Sequence, residues 1–109
     1  MAYESTHRFA RISPQKARLV TDMIRGKNID DALTVLSFSK NRGAVLVIKV
    51  LQAAIANADQ AEADLRRLVV SDARVDGGPT MKRWQPKDRG RAHPIQKKTS
   101  HIFVAVDER

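Results

Sequence analysis

Two runs of alternating apolar residues, separated by a long basic segment, constrain the fold of this 109-residue chain most strongly. The first run occupies the odd positions of residues 69–75, where Ser71 is its one polar member, and the second the even positions of residues 102–106. Both show the period of two that is typical of a half-buried β-strand. The intervening residues 77–101, called the arm below, contain glycine and proline and few large apolar side chains. Two strand patterns around such a segment predict a long β-hairpin.

Most of the positive charge of the chain lies in the arm. Seven of the 20 Lys and Arg residues fall there against one acid, Asp88, so the arm supplies +6 of the formal net charge of +8. A cationic segment with little apolar surface is typical of proteins that bind nucleic acid. An anionic membrane is the weaker alternative, because the longest apolar-rich stretch, residues 44–58, is interrupted by polar residues and too short to span a bilayer.

The charge pattern of the arm depends on how its two strands pair. If the hairpin turns at residues 89–90, the residue numbers of paired positions sum to about 180. This register places Lys82 opposite Lys98 and Arg83 opposite Lys97. Like charges directly opposite one another destabilise a two-stranded ribbon, so this register predicts an arm suited to binding phosphate groups rather than to standing alone.

Glycine and proline predict two irregular places in the hairpin. Residues 77–78, both glycine, together with Pro79 indicate a bulge where the sheet of the body becomes the arm. A proline fits in a paired strand only where its missing N–H would point away from the partner strand, and such positions recur every second residue. Pro79 is at an odd position and Pro86 at an even one, so both cannot fit in one regular strand. The sequence therefore predicts regular pairing that ends near Gln85 and an irregular tip at residues 86–94.

The remainder of the chain predicts a short basic strand at residues 3–12 followed by three helices. Ser13 caps the first helix, Pro14 occupies its first position, and Gly26 ends it. The buried stripe of this helix is predicted to be Ala17, Val20 and Ile24.

The second and third helices are predicted from their caps and apolar spacing. Asp30 is the expected cap of the second, whose inward residues are Ile29, Leu33 and Leu36. Ser39 is the expected cap of a third and longest helix that runs to about Ala61. The predicted core stripe of that helix is Ala44, Ile48, Leu51, Ile55 and Ala58.

Catalytic and metal-binding patterns are weak. The chain has no cysteine, so it forms no disulfide and offers no thiolate ligand or thiol nucleophile. Its three histidines are scattered and no H-E-x-x-H spacing occurs. The first residues lack the apolar stretch of a signal peptide, which predicts a cytosolic protein. We expect no catalytic residue, no metal site and no cofactor.

Trp84 is the only tryptophan and lies among basic residues. In a free hairpin its ring would cover the aliphatic stems of its neighbours, whereas against RNA it would stack on a base or a ribose. Both interpretations stay open.

Several segments carry a family resemblance. They read SPQKARLV at 13–20 with IRGK at 24–27, AAIANA at 53–58, VDGGPTMKR at 75–83, and GRA at 90–92, followed by Ile95, Lys97, Lys98 and TSHI at 99–102. In order and spacing the chain resembles bacterial large-subunit ribosomal proteins of the L-twenty-two family over nearly its whole length.

The resemblance implies an α+β fold, with three helices packed on a small antiparallel sheet and a long protruding basic β-hairpin. It implies one domain, 1–109, with a globular body at 1–76 and 102–109 and the arm at 77–101. It also implies a structural, non-enzymatic and cytoplasmic constituent of the large ribosomal subunit that binds several domains of the large-subunit (23S-type) rRNA. The hairpin would line the nascent-polypeptide exit tunnel, and the body would lie near the tunnel exit. Other large-subunit proteins and the nascent polypeptide are the further partners implied, with no membrane, and the protein would be a monomer within the ribosome.

The predicted RNA-binding residues combine the cations of both parts with a few polar or aromatic neighbours: Arg8, Arg11, Lys16, Arg18, Arg25, Lys82, Arg83, Trp84, Lys87, Arg89, Arg91, His93, Lys97, Lys98, Thr99 and His101. The resemblance implies a tunnel-facing segment formed by Met81, Lys82, Arg83, Lys87, Asp88, Arg89, Gly90, Arg91 and Ala92. In the family, macrolide sensitivity maps to the part of this segment that is matched here by Met81, Lys82 and Arg83.

The alternative is an architectural DNA-binding protein whose basic β-arm enters the minor groove. That class usually carries an apolar wedge at the arm tip, whereas residues 87–91 are polar, charged or glycine.

Overall fold

The computed structural model describes residues 2–87 and 91–109 of the chain, with side chains at 2–80 and 98–109. In chain order the elements are strand β1 (Ala2–Ala10), helix α1 (Pro14–Ile24), helix α2 (Ile29–Phe38), helix α3 (Gly43–Gln60), a short 3-10 helix (Leu65–Arg67), strand β2 (Leu68–Lys87) and strand β3 (Arg91–Glu108). The strands form one antiparallel sheet in the order β1-β3-β2, and the helices pack on it. The predicted α+β fold of three helices on a small antiparallel sheet is confirmed.

The core lies between one face of the sheet and the three helices. Ile102, Val104 and Val106 of β3 are fully buried there and alternate with residues of the opposite face, which gives the predicted period of two. Helix α3 faces the sheet and also contacts α1 and α2, so a broad part of its surface is buried. Its most buried positions are Ala44, Val47, Val50, Leu51, Ala54 and Ala58. Ile48 and Ile55, predicted as central core residues, are only partly buried beside this cluster.

The predicted ends of α1 are confirmed. The Ser13 hydroxyl accepts a hydrogen bond from the Lys16 N–H at 3.4 Å, and Pro14 begins the helix. Gly26 follows the last turn with φ +84°, a conformation that glycine adopts without steric cost. The predicted stripe of α1 is buried.

The predicted caps of α2 and α3 are wrong. Asn28, not Asp30, caps α2, since its side chain accepts from the Asp31 N–H at 2.9 Å. Ser39 ends α2 instead of starting α3, which begins at Gly43 without a side-chain cap. A Cβ on Gly43 would lie 3.0 Å from the Ile12 side chain. Close packing against the chain before α1 therefore accompanies the start of α3, and no capping pattern in the sequence marks it.

A bulge near Ser71 changes which side chains of β2 face the core. Pairing shifts between Val70↔Val106 and Asp72↔Ala105, so an extra residue enters β2. Leu68 and Val70 are buried before the bulge, and Ala73 after it. The predicted continuous alternation at the odd positions of 69–75 is therefore wrong at its beginning, although the strand itself is confirmed.

The predicted bulge at the start of the arm is also confirmed, because pairing shifts between Gly77↔Ser100 and Thr80↔Lys98. From there the two strands of the arm pair regularly to Lys87↔Arg91. The predicted end of pairing near Gln85 is thus wrong. The bulge takes Pro79 out of the regular ladder, which removes the parity conflict with Pro86 on which that prediction depended.

The predicted register of the arm is wrong by two residues. Lys82 pairs with Gln96 and Arg83 pairs with Ile95, so neither stands opposite a lysine. Residue numbers of paired positions sum to 178 along the arm, as in Thr80↔Lys98. The predicted like-charge pairs are therefore absent from the described ladder, and Lys87↔Arg91 is instead its like-charged pair.

Candidate nucleic-acid interface

The arm extends the sheet well beyond the body. Its ladder has eight consecutive pairs from Thr80↔Lys98 to Lys87↔Arg91. At about 3.4 Å per residue, seven steps correspond to a ribbon roughly 24 Å long. The longest dimension of the molecule is 62 Å, against 24 and 16 Å in the other directions. Among the predicted site residues of this ribbon, the side chain of Lys98 is described. For the others, the structure describes the backbone alone: Met81, Lys82, Arg83, Trp84, Lys87, Arg91, Ala92, His93 and Lys97. Asp88, Arg89 and Gly90 lie outside the described residues altogether.

The root of the arm is fixed to the body by buried polar contacts. The Thr99 hydroxyl, in a residue 5% exposed, donates to the Pro79 carbonyl at 2.6 Å across the bulge. The Ser100 hydroxyl donates to the Ile12 carbonyl at 2.5 Å. These bonds join β2 to β3 and β3 to the segment before α1. Thr99 was predicted to bind RNA, and the structure gives its side chain a place in this packed junction.

Beside the arm root, helix α1, strand β3 and the loops before α1 and α3 bring cations together around one cleft. The cleft has a volume of about 610 Å³. Four cations line the cleft: Arg11, Lys16, Arg42 and Lys98. Among the described residues of its wall there is no acidic side chain. Ser13 and Asn41 add polar groups, and Leu19 adds a largely exposed apolar side chain. We call this the arm-root cleft. Converging cations without a neutralising acid create a positive potential that attracts phosphate groups.

Three of the four cleft cations were predicted to bind RNA, and the fold brings them together. Arg11 follows β1, Lys16 lies in the first turn of α1, and Lys98 lies on β3. Arg42, in the loop before α3, was missed. The sequence signal for it was a basic residue in a polar loop, but only the tertiary structure places that loop next to α1.

Arg18 and Arg25, also predicted to bind RNA, lie where α1 contacts β2. The Arg18 guanidinium donates to the Val75 carbonyl at 3.1 and 3.3 Å. Arg25 donates to the Ala73 carbonyl and pairs with Asp22 at 3.0 Å. Both side chains thus connect a helix to the edge strand of the body. If these two residues contact RNA, they do so through the guanidinium N–H groups that are not used in these bonds.

Arg8 and His101, two further predicted residues, lie on the sheet face opposite the helices. They line a second cleft of about 400 Å³ together with Phe9, Phe103 and Arg74, none of which was predicted as a site residue. The guanidinium carbon of Arg74 lies 4.3 Å from the centre of the Phe103 ring. Cations and aromatic rings therefore occur side by side on a second surface.

The described part of the chain contains no cluster of His, Asp or Glu arranged to hold a metal ion. Among the helices that the structure describes, none combines the length and apolar character needed to cross a membrane.

A comparison with known protein families decides between the two classes of nucleic acid. The model of the family described as ribosomal protein L22p/L17e matches residues 5–107. The chain belongs to this family. It is therefore a structural protein of the large ribosomal subunit that binds rRNA and has other ribosomal proteins as neighbours, and the family is not one of enzymes. The match favours rRNA over the DNA alternative, and it covers both the body and the arm.

Proposed function

We propose that the arm lines the nascent-polypeptide exit tunnel of the large subunit while the body lies near the tunnel exit. The observation that carries this proposal is the paired ribbon of about 24 Å beyond the bulge, in a protein of a large-subunit ribosomal family. A ribbon this thin and long reaches between RNA segments that a globular body would not enter.

The charge distribution supports the same arrangement. The arm holds seven cations and one acid, and the arm-root cleft adds three cations of the body to Lys98. Lys and Arg neutralise phosphates and thereby position the protein without reading base sequence. RNA packed around both sides of the ribbon would place several rRNA domains against one protein in the cytoplasmic ribosome, with the protein present as a monomer.

In this arrangement residues 81–83 and 87–92 of the arm face the tunnel, and the nascent polypeptide passes them. The predicted rRNA contacts of the arm come from its seven cations together with a few polar or aromatic neighbours. Trp84 is included among these proposed contacts, because an indole ring can stack on a base or a ribose.

Photo-crosslinking in translating ribosomes tests this placement. A photoreactive amino acid is introduced at Arg91, near the tip, or at Phe38 on the body, which is 82% exposed. Ribosomes carrying stalled nascent chains of increasing length are then irradiated. We expect position 91 to crosslink to short nascent chains that are still inside the tunnel, and position 38 to crosslink only to chains long enough to emerge.

Crosslinks from both positions at the same chain length would contradict the placement of the arm in the tunnel. So would an absence of nascent-chain crosslinks from position 91 in ribosomes that have incorporated the protein. Co-sedimentation with large subunits is measured in parallel, so that failure to assemble is distinguished from a different location.

A further inference from the structure

Phe9 has an unusual backbone conformation for a bulky residue. Its φ is +58° and its side chain is 60% exposed. The other described non-glycine residue with positive φ, Glu62, lies just after α3 and takes part in the hydrogen bonds that end that helix. Phe9 ends no helix. Strained conformations of this kind persist where the surrounding structure holds them, and they concentrate at functional sites.

A bulge in β1 produces this conformation. Pairing runs from His7↔Ile102 to Ala10↔Ser100, so β1 contains one residue more than β3 over this interval. The Phe9 N–H donates to Nδ1 of His101 at 3.2 Å, in place of a regular ladder bond. The two rings meet edge to face, with centroids 5.0 Å apart and an interplanar angle of 84°. The bulge thus presents an aromatic ring to solvent and His101 fixes its position.

The neighbours of this ring provide further stacking and hydrogen-bonding groups. The Arg74 guanidinium covers Phe103, and both line the same 400 Å³ cleft as Phe9. Arg8 and Asp76 also line it. The Arg74 guanidinium lies 3.6 Å from the Asp72 carboxylate and 3.8 Å from that of Asp76. All three side chains are largely exposed, so these ion pairs are weak and open to exchange.

We propose that this surface, the sheet platform (Arg8, Phe9, Arg74, Asp76, His101 and Phe103), binds one unstacked rRNA nucleotide whose base stacks on the Phe9 ring. The inference rests on the family assignment and the proposed rRNA binding, and adds to them a contact with a base rather than with phosphate. Every base has a π-face, and single-stranded RNA is recognised largely by stacking on aromatic rings and guanidinium planes.

The charges of the platform fit a nucleotide better than a phosphate group alone. The Asp76 carboxylate is exposed and only accepts hydrogen bonds, so it suits the N–H edge of a base and repels phosphate. Arg8 and Arg74 supply donors for the phosphate or ribose of the same nucleotide. The arm-root cleft, whose described wall has cations and no acid, offers the contrasting phosphate-only chemistry.

Binding of a six-nucleotide adenylate RNA to the full chain tests the platform, with inorganic polyphosphate of similar charge as the base-free probe. We expect the RNA to shift the ring resonances of Phe9 and Phe103 and polyphosphate to leave them in place. The variant Phe9→Leu, which keeps an apolar side chain without a ring, is expected to weaken binding of the RNA roughly 5- to 150-fold, the range corresponding to the stacking of one base. Phe9→Tyr is expected to retain it. The control variant Phe38→Leu removes another exposed ring and is expected to bind like the original chain.

Two further variants separate stacking from folding. Glycine adopts positive φ without a Cβ penalty, so Phe9→Gly is expected to melt no lower than Phe9→Ala, while both lose RNA affinity alike. A lower melting temperature for the glycine variant would overturn the role assigned to strain at this position.

The outcomes also distinguish this inference from the proposed function. If the original chain binds large-subunit rRNA and Phe9→Leu binds the adenylate RNA equally well, the platform is wrong and the proposed function stands. If the original chain fails to bind large-subunit rRNA, the proposed function itself fails. A sedimentation change of the free chain on Phe9→Leu substitution would show that a second copy covers the platform, and would overturn the proposal.

Discussion

At the scale of single residues, Gly78 shows how the arm is joined to the body. A Cβ at this position would lie 2.5 Å from the Thr99 hydroxyl oxygen and 3.3 Å from the Thr99 carbonyl carbon and oxygen. The hydroxyl is itself held by its bond to the Pro79 carbonyl. The neighbouring Gly77 has open space, with no atom within 4 Å of the corresponding point. Two adjacent glycines in the sequence therefore have different structural requirements.

We expect Gly78→Ala to destabilise the protein by about 1–3 kcal/mol, because the added methyl group must displace Thr99 and its backbone. Gly77→Ala is the matched control and is expected to be neutral or to stabilise by up to about 1 kcal/mol, since alanine restricts the unfolded chain. Urea unfolding of both variants measures the difference. Equal stability of the two variants would show that the arm root adjusts freely and that the Thr99 contact does not fix it.

At the scale of secondary-structure elements, the body and the arm depend on different interactions. The body is held by a core in which α3 contributes fully buried residues against β1 and β3. The residues of the described core cluster lie in the body, at 10–75 and 102–106. In the sequence, residues 81–97 contain only three large apolar residues, Met81, Trp84 and Ile95. The arm is therefore expected to be removable without loss of the body.

Deletion of residues 81–97 tests this independence. Thr80 and Lys98 are directly paired, so an Asn-Gly dipeptide between them closes a two-residue hairpin. We expect the free energy of unfolding of the shortened chain to lie within about 1 kcal/mol of the original value, because the deletion removes no residue of the described core cluster. Thermal and urea unfolding provide the measurement. A much earlier transition would show that arm side chains, Trp84 foremost among them, pack on the body.

Substitution within α3 gives the opposite expectation. Leu51 is fully buried, and Leu51→Ala is expected to cost about 2–5 kcal/mol through the loss of packing and the cavity left behind. Ile48→Ala is the control on the same helix and is expected to cost less, because Ile48 is only partly buried. Urea unfolding of the two variants decides the order. A larger loss for Ile48 would contradict the helix orientation.

The elements differ in how far their sequence determined them. The ends of α1 were predictable because Ser13, Pro14 and Gly26 act through local backbone geometry. The start of α3 was not, since Gly43 begins that helix in close contact with the Ile12 side chain, which is distant in sequence. The register of the arm was not predictable either, because the bulge between Gly77 and Thr80 adds a residue to β2 and shifts the pairing of the two strands. The cations of the candidate site were visible as residue types, but only the fold shows that Arg42 joins Arg11 and Lys16 in one cleft.

At the scale of the whole molecule, the arm, which is cationic in sequence, meets the arm-root cleft at Lys98. Lys98 belongs to both, because it lies at the end of the arm ladder and in the wall of the cleft. If the two parts contact the same rRNA, their contributions to binding should add. The salt dependence of affinity measures this directly, since each neutralised phosphate releases counterions and adds roughly −0.7 to −0.9 to the slope of log K against log salt.

Three triple variants with the same loss of charge compare the surfaces. The arm variant replaces Lys82, Arg83 and Lys97 with alanine, and the cleft variant replaces Arg11, Lys16 and Arg42. The control variant replaces Lys27, Lys49 and Arg66, exposed cations that are not among the residues lining either cleft. With a large-subunit rRNA fragment, we expect the arm and cleft variants each to reduce the magnitude of the slope by roughly 2 to 3, the value for three phosphate contacts. The control should leave the slope nearly unchanged.

Because the arm and the cleft are expected to bind one RNA together, combining their substitutions should reduce the magnitude of the slope by the sum of the two effects. An equal reduction in the control would show that net charge governs binding, and an unchanged slope in the cleft variant would restrict the rRNA interface to the arm.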